Sequence, residues 1–339
     1  MRKLVWLGND NFIIERLYGA PPAPSEDEVL LKVRGVGICG TDIHIMKGTM
    51  PNARPPLVLG HEISGEIASL GKNVSNVHEG DRVTVDAVVG CGHCGLCKRS
   101  RIQFCADGFE FGISRDGGCQ DYLVVPKKNV YRIPSTMSFE EAAMLDMEVY
   151  NAVRKCGVNA GDSVLILGAG PIGLIACQVA RIFGAASITL GDVLESRLGV
   201  AETLGIADTY LVIPEQCSST LNDGEPNGPF DVVMDCAGTS GSVKYALKAV
   251  RICGRVLLYG VYEHAVDQLD MNLIVLKDLV LYGSQSDRNG WEEVIDLVSS
   301  GSLNLKSLIT HRFPLEDGPK GYDLVHRRDV PVIKAVLLV

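Results

Sequence analysis

Hydrophobic and polar positions along the chain follow two different rhythms. Up to about residue 150, short β-rich runs are set apart by turn residues: Val29 to Val33, Ile63 to Leu70, Arg82 to Val85 and Tyr122 to Val125. No helical period dominates this stretch. From about residue 160, apolar runs alternate with helix-length segments: Val164 to Leu167, Ser187 to Leu190, Tyr210 to Ile213, Asp231 to Met234, Val256 to Tyr259 and Leu279 to Tyr282. Six short strands spaced in this way predict a doubly wound parallel sheet. After Gly290 the pattern predicts one more helix, Trp291 to Ser299, and an apolar run, Val332 to Val339, that rejoins the first domain. The predicted fold class is α/β: a β-rich domain over 1–152, a doubly wound domain over 153–288 and a returning segment over 289–339.

Size and charge narrow the functions. The 339 residues exceed what one hydrophobic core usually organises, in keeping with two domains. Lys and Arg number 32 against 41 Asp and Glu, a net charge of -9, and no basic stripe is present to neutralise phosphates. Nucleic acid and anionic membrane are therefore not expected as partners. The most apolar window, Val164 to Ala186, is broken by Gly168, Gly170, Pro171 and Gly173 and carries Gln178 and Arg181, so it reads as strand, turn and buried helix instead of a membrane span. The apolar run Leu4 to Gly8 is too short for a secretory signal, and the expected location is the cytoplasm. There, an odd count of 11 cysteines points to metal or catalytic use over a disulfide framework.

Gly168-Ala169-Gly170-Pro171-Ile172-Gly173 follows the predicted strand Val164 to Leu167 and opens the helical stretch Ile172 to Phe183. Gly168 permits a tight turn, Gly170 lets the backbone approach a pyrophosphate, Gly173 permits close helix-strand packing, and the helix start offers free N–H groups to phosphates. Asp192 stands nineteen positions beyond Gly173, just after the second strand, where a carboxylate can accept from both adenine-ribose hydroxyls. Its charge would repel a 2′-phosphate, which favours NAD over NADP. Arg197 either softens that preference or covers the adenine, and a solvated helix arginine is the plainer reading. An ordinary glycine turn with a capping Asp is the alternative to a dinucleotide site.

Cys91, Cys94, Cys97 and Cys105 have the spacing C-x2-C-x2-C-x7-C, among Gly90, Gly92 and Gly95. Four soft thiolates so close together predict a closed, tetrahedral structural zinc site. Iron–sulfur ligation competes, but the domain offers no second cysteine cluster and no electron-transfer context. Cys39, in Gly37-Ile38-Cys39-Gly40-Thr41-Asp42, and His61-Glu62 twenty-two residues later are each bland alone. Together, beside a dinucleotide site, this thiolate, imidazole and carboxylate predict a catalytic zinc with an open position, a Lewis acid that acidifies an alcohol ahead of hydride release to NAD. Thr41 and His44 follow Cys39 closely enough to relay the alcohol proton. Without the zinc, Thr41 reads equally well as a helix cap and His44 as a solvated side chain.

These residues resemble the zinc-dependent medium-chain alcohol dehydrogenase family, in its sorbitol and threonine dehydrogenase-like branch. The likeness spans nearly the whole chain: Cys39-Gly40-Thr41-Asp42-x-His44; Gly60-His61-Glu62 with Gly65, Gly71 and Val74; Gly80-Asp81-Arg82-Val83; the four-cysteine lobe; Asp116-Gly117-Gly118 with Tyr122; and Gly168 to Gly173. The resemblance implies a GroES-like catalytic domain built from both chain ends, a Rossmann domain between them, and a homo-oligomer, tetramer or dimer. It also implies loops beside the cofactor at Cys236 to Gly238, Tyr259-Gly260 and Gly283-Ser284. Members usually add a third zinc ligand about two dozen residues before the glycine motif. Counting back reaches Met144, which is no ligand. Asp146 fits if about two residues are deleted locally, and Glu148 lies one turn beyond; both stay open.

The leading expectation is NAD-linked oxidation of a secondary alcohol on a polyol, sugar, aminocyclitol or hydroxy-amino acid, or its reverse. A zinc-free enone or quinone reductase of the same superfamily would not need Cys39, His61, Glu62 or the cysteine lobe. A non-catalytic dinucleotide-binding protein would not need an open zinc site.

Overall fold

The computed structural model describes residues 1–145, 147–214, 228–285, 288–327 and 332–339. The chain divides into two compact units. One combines Met1–Leu145 with Arg288–Val339, and the other is Asp146–Asp287. Among the described residues no helix is long and apolar enough to cross a membrane.

In the first unit the long strand Glu28–Ile38 organises a seven-stranded sheet. Its alternating Val29, Leu31 and Val33, and Val36 beyond a register shift between Val33 and Gly35, are almost fully buried and pack with Ile63, Ile67, Val83 and Val125. One side pairs antiparallel with Glu62–Leu70, in a register that sets Gly37 opposite Glu62. The other side is shared: Tyr122–Pro126 pairs with its first half and the C-terminal strand Lys334–Leu338 with its second, Ala335 opposite Ile38. The expected return of the chain end to the first domain is thus a ladder of backbone hydrogen bonds. It brings Lys334 to the end of the organising strand, where Cys39 follows.

After Gly290 the structure has the predicted helix Trp291–Ser299, but also a strand, Ile309–Pro314, and a second helix, Gly318–Arg327, that the pattern did not predict. Gly318, Pro319 and Gly321 hide that helix by their low propensity. A Cβ on Gly321 would sit 2.8 Å from Ile38 Cδ1, so the glycine is kept by packing.

In the second unit six parallel strands, labelled β1 to β6, are Ser163–Leu167, Ser187–Asp192, Thr209–Val212, Phe230–Asp235, Val250–Leu258 and Val280–Gly283. Their order, β3-β2-β1-β4-β5-β6, is the doubly wound order: all pairs are parallel, and the direction in which successive strands are added switches at β1 and β4. Val164 to Leu167 and Val232 to Met234 are buried to within 1%, as central strands covered on both faces must be.

Candidate active site and metal centres

Cys39 follows the organising strand and caps the helix Gly40–Met46: its N–H donates to Asp42 Oδ2 over 2.9 Å, and the Asp42 N–H returns to the Cys39 carbonyl over 3.1 Å. Asp42 is completely buried, and its second oxygen, Oδ1, faces His61 Nδ1 at 3.5 Å. Among the described residues neither of those two atoms has a hydrogen-bond partner. A carboxylate behind one ring nitrogen fixes the orientation of an imidazole that ligates through the other. Burial lowers the His61 pKa, but the charges of Asp42 and then Cys39 outweigh it and hold the ring well above its ordinary value. Cys39 Sγ, a His61 ring nitrogen and a Glu62 carboxylate oxygen all lie within 4.8 Å of one another. Thiolate, imidazole and carboxylate at that separation fit zinc.

Glu62 is shared with a residue that the sequence reading missed. Lys334 Nζ lies 2.5 Å from both Glu62 oxygens, and its side chain is only 5% exposed. Burial opposes the Lys334 charge, yet Glu62 and Cys39 raise its pKa on balance. Gly37 leaves room for the pair, since a Cβ there would lie 1.8 Å from Glu62 Oε2. The available signal was a lysine inside the apolar run Val332 to Val339, where a charge must have a partner. Asp42 had a signal too, three residues after the cap.

Thr41 Oγ1 is 3.7 Å from Cys39 Sγ, and His44, one turn on along the same helix, has Nδ1 3.5 Å from Thr49 Oγ1. Of the two candidates for a third ligand, Asp146 lies outside the described residues. Glu148 stands on the first turn of the helix Met147–Cys156, in the second unit. Phe111 and Trp291 are buried packing groups: Phe111 is edge-on to Phe109, and Trp291 stacks on Tyr131 with centroids 4.8 Å apart.

The four lobe cysteines converge as their spacing predicts. Cys91 and Cys97 sulfurs are 3.9 Å apart and those of Cys94 and Cys105 3.8 Å. A tetrahedron with Zn–S bonds of about 2.3 Å has edges of about 3.8 Å, so the cage has the size zinc requires. Backbone N–H groups of Cys91, Cys94 and Cys97 each approach a sulfur at 3.4 Å. The Cys97 amide is the largest influence drawing the Cys94 thiol down to about 7, toward the thiolate a metal needs.

In the second unit the glycine turn follows β1, and the helix Pro171–Ile182 starts with Pro171 in its first turn. Gly168 has φ +105°, and a Cβ on Gly173 would meet the Gly168 carbonyl at 1.8 Å, so neither tolerates a side chain. Ile172 sits in that first turn beside Gly173. Asp192 ends β2 almost buried; its oxygens accept from the N–H groups of Ala169 (2.6 Å) and Leu194 (2.8 Å). The carboxylate thus ties the glycine turn to the second strand, and each oxygen keeps a further lone pair for a ribose hydroxyl. Arg197 lies on the following helix, Glu195–Thr203.

Residues 25–135 match the alcohol dehydrogenase GroES-like domain and residues 171–300 the zinc-binding dehydrogenase domain. The chain is 35% identical over 319 residues to the L-threonine 3-dehydrogenase of Bacillus licheniformis, covering 90% of this chain and 91% of that one. Among solved structures it is similar to a zinc-binding dehydrogenase from Sinorhizobium meliloti 1021 bound to NADP. The TM-score is 0.89 at 28% identity, over 100% of this chain and 99% of that one. An Escherichia coli CFT073 alcohol dehydrogenase complexed with NADH gives a TM-score of 0.88 at 29% identity, over 100% of this chain and 99% of that one.

Proposed function

The chain belongs to the zinc-dependent medium-chain alcohol dehydrogenase family, and from that premise we propose that it oxidises the secondary hydroxyl of a hydroxy-amino acid or polyol to a ketone with NAD. The observation that carries this reading is the convergence of Cys39, His61 and Glu62, backed by buried Asp42 and Lys334. When bound, zinc supplies the Lewis acidity that acidifies the substrate hydroxyl, and NAD supplies the hydride acceptor. Cys39 and His61 are the permanent zinc ligands. Glu62, already engaged by Lys334, would be a weaker ligand, and Asp146 or Glu148 is the candidate to complete the set. Thr41 takes the hydroxyl proton and His44 passes it to water. Cys91, Cys94, Cys97 and Cys105 hold the structural zinc. The turn Gly168 to Gly173, with Pro171 and Ile172 opening the helix, holds the pyrophosphate. Asp192 binds the adenine ribose and selects NAD over NADP, with Arg197 at the adenine side.

We further propose a cytoplasmic homo-oligomer. Val261, Met271, Val275 and Leu276 are between 59% and 79% exposed, and among the described residues no strand pairs with the outer edge of β6. Sedimentation that finds a monomer would remove this part alone.

The deciding experiment assays L-threonine, 2,3-butanediol and a set of pentitols and hexitols with NAD and with NADP, following absorbance of the reduced cofactor. Turnover of at least one, lost on removal of zinc and restored by adding it back, supports the reading. Activity that survives in Cys39→Ser and in zinc-free protein would overturn it. Asp146→Asn and Glu148→Gln, compared for zinc affinity, identify the third ligand.

A further inference from the structure

The mouth of the doubly wound sheet contains a buried carboxylate that none of the roles above employs. Asp235 ends β4, paired in register with Leu167 at the end of β1, so it stands where the strand order reverses. Dinucleotides lie across that crevice, one mononucleotide half over β1 to β3 and the other over β4 to β6. Gly168 and Asp192 belong to the adenine half; Asp235 opens the other.

Asp235 is 0% exposed and, among the described residues, is paired with no cation. Neutral donors take the place of one. Oδ1 accepts from the N–H groups of Ala237 (3.0 Å) and Gly238 (3.1 Å), and Oδ2 from Ser242 Oγ (2.9 Å) and the Tyr262 hydroxyl (2.6 Å). Its backbone carbonyl also accepts from the N–H groups of Tyr259 and Gly260, at 3.0 and 2.9 Å. Two loops, 236–238 after β4 and 259–262 after β5, therefore converge on this one residue. They touch as backbones, since a Cβ on Gly260 would lie 2.2 Å from Gly238 N. The first loop also reaches the phosphate turn: a Cβ on Gly168 would lie 3.2 Å from Ala237 N. Desolvation raises the Asp235 pKa, the donors offset part of that, and the net direction is upward.

A buried carboxylate is costly, and an apolar residue at the end of a central strand would pack as well. What the carboxylate adds is a set of directed bonds: those from Ala237, Gly238 and Tyr262 fix loops at the crevice, and that from Ser242 holds the first turn of the helix Ser240–Ala249. Tyr262 is the distal one, in a stretch whose neighbour Val261 is 69% exposed.

We propose that the Tyr262–Asp235 hydrogen bond pre-forms the nicotinamide half of the cofactor site, making both residues positioning residues for the redox end of NAD. This rests on the NAD reading above. Pre-ordering the loops removes an entropic cost that would otherwise be met on binding, so the pin acts on affinity for the half it serves.

Calorimetry on the full chain isolates the redox end, because ADP-ribose carries the adenosine, the pyrophosphate and the second ribose and lacks only the nicotinamide ring. Tyr262→Phe should bind ADP-ribose like the unaltered protein and NAD about tenfold more weakly, as expected for loss of a hydrogen bond to a charged group. KM for NAD should rise with kcat changed less. Asp235→Asn, which keeps the shape, should show the same selective loss, larger in size. Equal weakening of both ligands, or weakening of neither, overturns the proposal. Failure of the unaltered protein to bind ADP-ribose would instead remove the dinucleotide reading on which it rests.

Discussion

Replacing Lys334 with Met keeps the aliphatic stem and deletes the ammonium beside Glu62. The Lys334 side chain is 5% exposed and that of Glu62 22%. Removing one partner of a buried pair costs about 3–5 kcal/mol, because the other charge stays behind. Partial exposure of Glu62 lets water offset some of this, which leaves about 2–3 kcal/mol for protein without zinc at the catalytic site. With zinc present, the stranded carboxylate gains a new cation and the loss shrinks. By linkage, the difference appears as tighter zinc binding, about tenfold for each 1.4 kcal/mol. Lys334→Met should therefore be less stable when the catalytic site is empty, bind zinc there at least about tenfold more tightly, and turn over more slowly, because Glu62 then occupies coordination space the substrate needs. The assay is a chelator-competition titration, with urea unfolding of both forms, on protein that keeps its lobe zinc. Glu62→Gln combined with Lys334→Met should recover most of the stability. Weaker zinc binding in Lys334→Met, or an equal stability loss in both forms, would refute the idea that the ion pair restrains Glu62.

Elemental analysis should find two zinc ions per chain, and Cys97→Ala should lose one and speed amide exchange across residues 91–105, which the ion holds in place of a core; an unchanged zinc content would count against the lobe as a metal site. Asp192→Ser should lower the NAD to NADP ratio of kcat/KM by about tenfold to a hundredfold, the worth of a charge-assisted hydrogen bond. A ratio left in place would assign Asp192 to loop structure alone. Asp231 accepts from the Ser163 N–H and hydroxyl and from Arg251; burial opposes its charge, but these partners bring its pKa down to about 2. A depressed carboxylate stabilises above its unfolded value of 3.8 and loses that contribution as pH falls to about 2. Discounted for solvent screening, Asp231→Asn should cost about 1 kcal/mol at pH 7 and progressively less between pH 4 and pH 2, read from urea midpoints.

The six strands of the second unit were legible because each is a short apolar run bounded by turn residues, and a parallel sheet covered on both faces demands that pattern. The cysteine lobe was legible because all four ligands lie within fifteen residues, so spacing alone fixes the cage. The proposed catalytic set was harder. Cys39 and His61 are brought together by the pairing of two strands, and their partner Lys334 arrives from the far end of the chain on a third. No local pattern encodes that meeting. A lysine in an apolar strand announces that some counter-charge exists without saying where. The same distinction separates Asp192 from Asp235. Asp192 sits at a motif distance from the glycines, and that spacing singles it out as a candidate. Asp235 sits at the end of β4, in the sequence Val-Val-Met-Asp-Cys-Ala-Gly, where an acid reads as an ordinary turn residue. Its importance comes from the strand order: only when β4 lies beside β1 does its carboxylate face the crevice that the glycine turn defines. Candidate residues tied to local backbone geometry are therefore written in the sequence, and candidates that depend on topology become visible when the strands are placed.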